Sequence, residues 1–185
     1  MVLLHISSLN KNRNYIAIGD GSLISRRDDF VMPNGKRLGE YIPFYFGPRM
    51  PMLYVIQKGF NSVTPPLPAE IVYCITSVQA IQETGLNYAF SNGHAVDRFT
   101  EFYYQEDIKE ILNIIDMKAI NEKYWKVEND LDFKRRKEAE FLVEGDIPIG
   151  AIQIFAVYNR AAAIQLKKMT GYLNQSVIVK ANYYF

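Results

Sequence analysis

The chain has 185 residues, 49% hydrophobic and 22% charged, which suits one globular domain with its own core. Lys and Arg number 21 against 20 Asp and Glu, so no global positive field marks a nucleic-acid partner, and local patches would have to hold one. A single cysteine, Cys74, excludes an internal disulfide framework and a cysteine-built zinc site.

Met1-Val2-Leu3-Leu4-His5 carries neither a basic leader nor a membrane-length apolar run, so the expectation is a cytoplasmic protein with no membrane partner. Residues 10–40 are rich in Asn, Gly, Asp, Arg and Lys with little periodicity and read as a long, ordered, polar loop. Tyr41 to Phe46 and Met52 to Ile56 are aromatic and branched runs that read as strands. Between them Phe46-Gly47-Pro48-Arg49-Met50-Pro51 forms a turn, because proline donates nothing to a sheet ladder.

Ile71 to Ile75 reads as a buried strand enclosing an inert Cys74 thiol. Thr76-Ser77-Val78-Gln79 has a capping-box pattern that starts a short helix, which Gly85 can end. Ile108, Ile111, Leu112 and Ile115 fall on one helical face. Residues 117–137 are polar, with Trp125 and the run Lys134-Arg135-Arg136-Lys137. Glu138 to Val143 alternates as a half-buried strand does, Ala139, Phe141 and Val143 facing one way and Glu138, Glu140 and Leu142 the other. Ala151 to Tyr158 is apolar enough for a central strand. Asn159 caps a helix through about Met169 that Gly171 closes, and Val177 to Tyr184 is a last strand. One α+β domain with a split or sandwiched sheet follows.

No P-loop, Gly-x-Gly-x-x-Gly fingerprint or Gly-x-Ser-x-Gly elbow is present, and with only His5 and His94 no metal site is expected. Four features remain. Arg49, set between prolines, suits stacking or anion recognition, or is a surface arginine on a rigid turn. Glu140 projects from its strand into a cleft or into solvent. Ser91-Asn92-Gly93-His94-Ala95 is a turn presenting a histidine that is either functional or structural, and Asn14 to Arg27, which includes Gly19-Asp20-Gly21-Ser22-Leu23, either offers small residues and backbone donors for a close phosphate or nucleotide or is an ordinary capped turn.

In this order, Tyr15-Ile16-Ala17-Ile18-Gly19-Asp20, Ile42-Pro43-Phe44-Tyr45-Phe46, Arg49-Met50-Pro51-Met52-Leu53-Tyr54, Gly93-His94-Ala95 and Lys137 to Val143 resemble the DarT family of DNA ADP-ribosyltransferase toxins, over about Asn14 to Phe185. The resemblance implies an α+β, ADP-ribosyltransferase-like split β-sheet core with short flanking helices, one domain over 1–185, and NAD as co-substrate without a metal. It implies transfer of ADP-ribose to a base, typically thymine, in single-stranded DNA, which blocks replication. A DarG-type macrodomain antitoxin is the implied partner.

Carried onto this sequence, Arg49 and Glu140 are the expected catalytic residues. Glu140 would bind the ribose and stabilise an oxocarbenium-like cation, and Arg49 would act as proton acceptor or as electrostatic stabiliser of the deprotonated base. Gly19, Asp20, Ser22, Leu23, Phe46 and Arg49 are the expected NAD contacts. His94, Trp125, Lys134 and Arg135 are the expected DNA contacts, combining stacking and phosphate pairing. The sequence departs from the family pattern at Asn92, where Asp is common, and at its amino terminus. There the usual strand with a His/Thr motif and the helix after it are expected to be missing: either His5 falls after that helix, or His5-Ile6 is the motif and the helix is deleted. A chain short of that segment would act as a single-stranded nucleic-acid binder without turnover.

Overall fold

The computed structural model describes residues 2–3, 8, 14, 18–171 and 174–185, with the side chains of Val2 and Leu3 set aside. In chain order the elements are β1 (Val2–Leu3), α1 (Gly21–Asp29), β2 (Tyr41–Tyr45), α2 (Pro51–Lys58), β3 (Val72–Ile75), α3 (Val78–Gln82), β4 (Tyr88–Ser91) and β5 (Phe102–Tyr103). There follow α4 (Ile111–Ile114), α5 (Met117–Asn121), α6 (Phe133–Lys137), β6 (Glu140–Glu144), β7 (Ile147–Pro148), β8 (Ile154–Val157), α7 (Arg160–Thr170) and β9 (Ser176–Val179). Helices and mixed sheets make this an α+β fold with a split core. One antiparallel sheet runs β2-β6-β4-β5, and a second runs β3-β8-β9, with β8 and β9 parallel.

β6 is the spine of the first sheet. Its neighbours place Phe44 and Phe90 opposite Phe141, and Tyr45 opposite Glu140. The expected alternation holds, but both faces are covered, so β6 is not half-buried. Ala139, Phe141 and Val143 pack with Tyr88, Phe90, Ile81 and Ile147 on one side. Leu142 packs with Met32, Leu38, Tyr41, Ala89 and Val96 on the other. A strand between two cores needs apolar residues on both faces, so a carboxylate there is placed by tertiary contacts alone.

Two local expectations are overturned. Part of the stretch expected to be a loop is α1, capped by Asp20 Oδ1, which accepts from the Ser22 and Leu23 N–H groups at 2.9 and 3.3 Å. No α1 residue is fully buried, so the helix rests on its cap and on side-chain bonds rather than on an apolar stripe that periodicity could reveal. Met52 to Ile56 is helical, not extended: Pro51 stands in the first turn of α2, and Gly59, at φ 68°, ends it. Proline at the start and glycine at the stop outweigh the strand propensity between them.

Smaller shifts follow the same logic. Ser77, not Thr76, caps α3, its Oγ accepting from the Ala80 N–H at 3.2 Å. The helical face expected over 108–115 begins as a 3-10 turn at Gln105–Glu110. With about three residues per turn the face rotates, so Ile115 is buried while Leu112 is 74% exposed. β9 stops at Val179, and the chain closes through a 3-10 turn at Ala181–Tyr183. α7 matches its expectation, with Asn159 accepting from the Ala162 N–H at 2.8 Å and Gly171 at the other end. At the amino terminus, where a strand was expected to be missing, β1 pairs with β7. His5 and Tyr15 to Ala17 lie outside the described residues. Among the described residues no helix is long and apolar enough to cross a membrane.

Candidate active site

Glu140 opens β6 and is completely buried. Its backbone N–H donates to Ser91 Oγ at 3.2 Å, and that hydroxyl donates to the Gly93 carbonyl at 2.7 Å, which ties the strand to the 91–95 turn. The carboxylate is held from two directions. The Ala95 N–H donates to Oε1 at 3.0 Å, and Arg27 Nη1, from the last turn of α1, donates to Oε1 and Oε2 at 3.1 and 2.8 Å. A carboxylate this deep requires a paired cation and hydrogen bonds, and Arg27 with Ala95 supplies both. Arg27 Nη2 is buried beside it with no hydrogen-bond partner among the described residues, a donor still unspent.

Arg27 closes the candidate stretch Asn14 to Arg27, but nothing in the sequence singles it out there as a site residue. The available signal was its place one turn after Leu23, which sets both on the same α1 face; Leu23 packs into the second core and Arg27 reaches Glu140. Arg26 on the adjacent face donates to the Val96 carbonyl at 2.9 Å, so two arginines moor α1 to the 94–97 turn and β6.

Arg49, expected at NAD and the target base, has no hydrogen bond or ion pair with Glu140 among the described residues. Arg49 sits at φ 58°, its N–H donates to Tyr73 Oη at 3.4 Å, and its Nη1 donates to the Tyr184 carbonyl. Its guanidinium lies 4.1 Å over the Phe185 ring. Trp125 packs edge-on against Phe185 and Tyr54, at centroid distances of 5.8 and 5.4 Å, so it joins this cluster rather than the Glu140 site. Phe46 packs edge-on against Phe141 and lines a cavity of about 320 Å³ between the two sheets, together with Gly47, Tyr73 and Tyr183.

Gly19, Asp20, Ser22 and Leu23 do stand together at the start of α1. The Ser22 and Leu23 donors are already used, since Asp20 Oδ1 accepts from both backbone N–H groups and from the Ser22 hydroxyl at 2.6 Å. Asn61 Nδ2 donates to Asp20 Oδ2 at 2.7 Å. These bonds, Ser22 first and Asn61 second, hold the Asp20 carboxyl below its ordinary range. An anion at this helix start would have to displace Asp20.

The turn bearing His94 is knitted to α6: the His94 N–H donates to the Arg135 carbonyl at 2.9 Å. Burial, the largest influence on His94, holds its imidazole below the ordinary value. A β-carbon on Gly93 would collide with the Arg135 side chain as it lies here, so glycine leaves room for that arginine to pack across the turn. Arg135 donates to Asp132 at 2.6 and 2.9 Å, to Asn92 at 3.0 Å and to Thr100 at 3.3 Å. Arg136 pairs with Asp116, Asp130 and Asp132. Lys137 is fully buried, its Nζ donating to the Ile120 and Glu122 carbonyls at 2.9 and 2.7 Å. Of the basic run expected as a solvated face, Lys134 alone is mostly exposed.

A family model described as "ssDNA thymidine ADP-ribosyltransferase, DarT" matches residues 1–185. A DNA ADP-ribosyl transferase of Thermus sp. (strain 2.9) is 33% identical over 171 residues, which cover 91% of this chain and 77% of that protein. A DNA ADP-ribosyl transferase-DNA ADP-ribosyl glycohydrolase fusion protein of Thermosipho africanus is 26% identical over 185 residues, all of this chain and 45% of the fusion. Among solved structures, Thermus sp. 2.9 DarT in complex with ADP-ribosylated ssDNA superposes with a TM-score of 0.83 at 29% identity, covering 99% of this chain and 86% of that one. The same protein in complex with NAD+ gives 0.77, covering 99% and 87%. The match spans the whole chain and takes in α1, the 93–95 turn and β6, so this chain belongs to the DarT family of DNA ADP-ribosyltransferases.

Proposed function

We propose that this chain transfers ADP-ribose from NAD to a base, thymine in the first instance, of single-stranded DNA, and that the modified base blocks replication. The observation that carries this reading is the fully buried Glu140 carboxylate, gripped by Arg27 and the Ala95 N–H inside a chain matched end to end by the family. Cleavage of the nicotinamide–ribose bond leaves an oxocarbenium-like sugar. A fixed carboxylate stabilises that charge and binds a ribose hydroxyl without reorganising as the reaction proceeds. Arg27 holds the carboxylate through Nη1 and keeps Nη2 for an oxygen of the co-substrate or of the acceptor. Arg49 keeps its expected role against NAD and the target base, and Arg27 adds the partner that fixes Glu140.

Gly19, Ser22 and Leu23 lie on the α1 start that would close over NAD, with Asp20 serving as the cap. Lys134, exposed on α6, is the cation best placed to meet a phosphate, while His94 and Arg135 hold the turn that carries Ala95. The Thermus complexes with NAD+ and with ADP-ribosylated ssDNA support this donor and acceptor, and the Thermosipho fusion supports a DarG-type glycohydrolase partner. The test is incubation with NAD and thymine-containing single-stranded oligonucleotides. The expected product is an oligonucleotide heavier by one ADP-ribose, lost in Glu140→Gln. No mass gain on any single strand would overturn the proposal.

A further inference from the structure

Arg49 stands at φ 58° in the turn between β2 and α2, a conformation that a residue with a side chain keeps only where its surroundings fix it. Residues 183–185 are those surroundings. The Tyr184 carbonyl accepts from Arg49 Nη1, and the Phe185 ring centroid lies 4.1 Å from the central carbon of the guanidinium. Tyr73 Oη joins the two sides: it accepts from the Arg49 N–H at 3.4 Å and donates to the Tyr183 carbonyl at 2.7 Å. Arg49 is thus held at its backbone, at one nitrogen and on one face of its guanidinium, while Nε is buried with no hydrogen-bond partner among the described residues.

The holding segment is itself fixed from several elements. Tyr184 is 3% exposed, and its hydroxyl lies 2.9 and 3.1 Å from the Ile71 and Ala156 carbonyls, beside β3 and within β8 of the second sheet. The Phe185 N–H donates at 2.9 Å to Gln57 Oε1 on α2, the helix that follows Arg49. Tyr54 and Trp125 pack edge-on against the Phe185 ring at 5.1 and 5.8 Å, so Trp125, expected as a DNA contact, backs this ring instead. Such anchorage marks a fixed part of the fold rather than a lid. Pro48, Tyr73 and Tyr183, which adjoin or hold Arg49, also line the cavity of about 320 Å³ between the sheets.

A free arginine side chain samples many rotamers, and ordering it beforehand removes that entropy from the reacting step. An aromatic face and a carbonyl suit the task, because a guanidinium stacks on the one and donates in its own plane to the other. On the reading that Arg49 meets NAD and the target base, we propose that Phe185 is a positioning residue. Its ring, together with the Tyr184 carbonyl, fixes the Arg49 guanidinium before the substrates bind. Phe185 acts through Arg49 and touches no reacting atom.

The test uses the whole chain, NAD and a thymine-containing single-stranded oligonucleotide. Transfer is followed by oligonucleotide mass and expressed per folded molecule, with the folded fraction taken from circular dichroism. In Phe185→Leu, which keeps apolar bulk and loses the aromatic face, kcat falls by about 10- to 100-fold, the range of a misplaced reacting group. KM for NAD stays within about threefold, and Phe185→Tyr, which keeps the ring, recovers most of the rate. Tyr73→Phe, which removes only the hydroxyl joining Arg49 to the segment, lowers kcat in the same direction and replaces Phe185→Leu should that variant not fold. A second readout needs no turnover. In nitrogen-15 NMR spectra the Arg49 Nε–H, assigned by its loss in Arg49→Lys, gives a slowly exchanging signal that joins the fast-exchanging arginines in Phe185→Leu. Transfer by Phe185→Leu at the wild-type rate overturns the proposal, and so does a faster rate, which would make the ring a block on Arg49. An Arg49 signal unmoved by the substitution overturns it as well. A wild-type chain that modifies no single strand, with the NMR signal behaving as stated, removes the reading of function instead.

Discussion

Arg27→Met removes the guanidinium that grips Glu140 and keeps most of its volume under α1. Glu140 is fully buried and the Arg27 side chain is 15% exposed, so the substitution leaves a carboxylate inside the fold with the Ala95 N–H as its remaining side-chain partner. Breaking a buried pair from one side costs about 3–5 kcal/mol. The remaining N–H and the access water has along Arg27 place this case at the low end, about 3 kcal/mol. For a chain of this size that corresponds to a fall in Tm of about 6–12 °C. Urea unfolding followed by circular dichroism measures it, and adding Glu140→Gln to Arg27→Met should recover about 2 kcal/mol, because the charge that lacked a partner is then gone. A loss below about 1 kcal/mol, the range of an exposed pair, or strict additivity of the two substitutions would refute the assignment of Arg27 as the partner that makes a buried Glu140 tolerable.

Glu138 predicts a pH-dependent stability. Its carboxyl titrates near 7 in the fold against an ordinary 4.5, so between those values the folded chain holds a proton the unfolded chain has released, and stability falls as pH rises through that window. At about 1.36 kcal/mol per unit the effect approaches about 3 kcal/mol. Glu138→Gln should therefore gain on wild type from pH 5 to 7 and hold its gain above 7, as read from urea midpoints; a pH-independent difference would contradict this. Gly47→Ala would bring a β-carbon to 2.8 Å from Ile120 Cγ2 and 3.3 Å from Met50 Cε in the first core. Overpacking of that kind costs about 1–3 kcal/mol, and an unchanged melting temperature would show that the turn has slack. Asn159→Ala removes the cap of α7 and should cost about 1 kcal/mol, whereas Asn159→Asp, which keeps the accepting oxygen, should cost little by the same assay.

Local chemistry made much of this chain legible. The alternation from Glu138 to Val143 located β6 because two-residue periodicity survives burial on both faces, and Asn159 and Gly171 bounded α7 because caps act over a single turn. The family blocks pointed to Glu140. Where local signals conflict, the element ends win: Pro51 and Gly59 make a helix of a run rich in strand formers, and Asp20 starts a helix that no apolar stripe announces. The basic run 134–137 reads as solvated charge, but the side chains of Arg135 and Arg136 end on aspartates and that of Lys137 on backbone carbonyls.

What the sequence alone determined is the α+β class, the family, β6, α7 and one carboxylate. The tertiary structure decided which arginine meets that carboxylate. Arg49 stands in an apolar turn between prolines and Arg27 in a polar, charged stretch, and neither setting names the side chain's partner. Arg49 is turned by its backbone toward Tyr184 and Phe185, while Arg27 is swung by α1 over the first sheet and onto Glu140, 113 residues further along the chain. Contacts across such separations depend on how layers pack, and no spacing within the sequence encodes them.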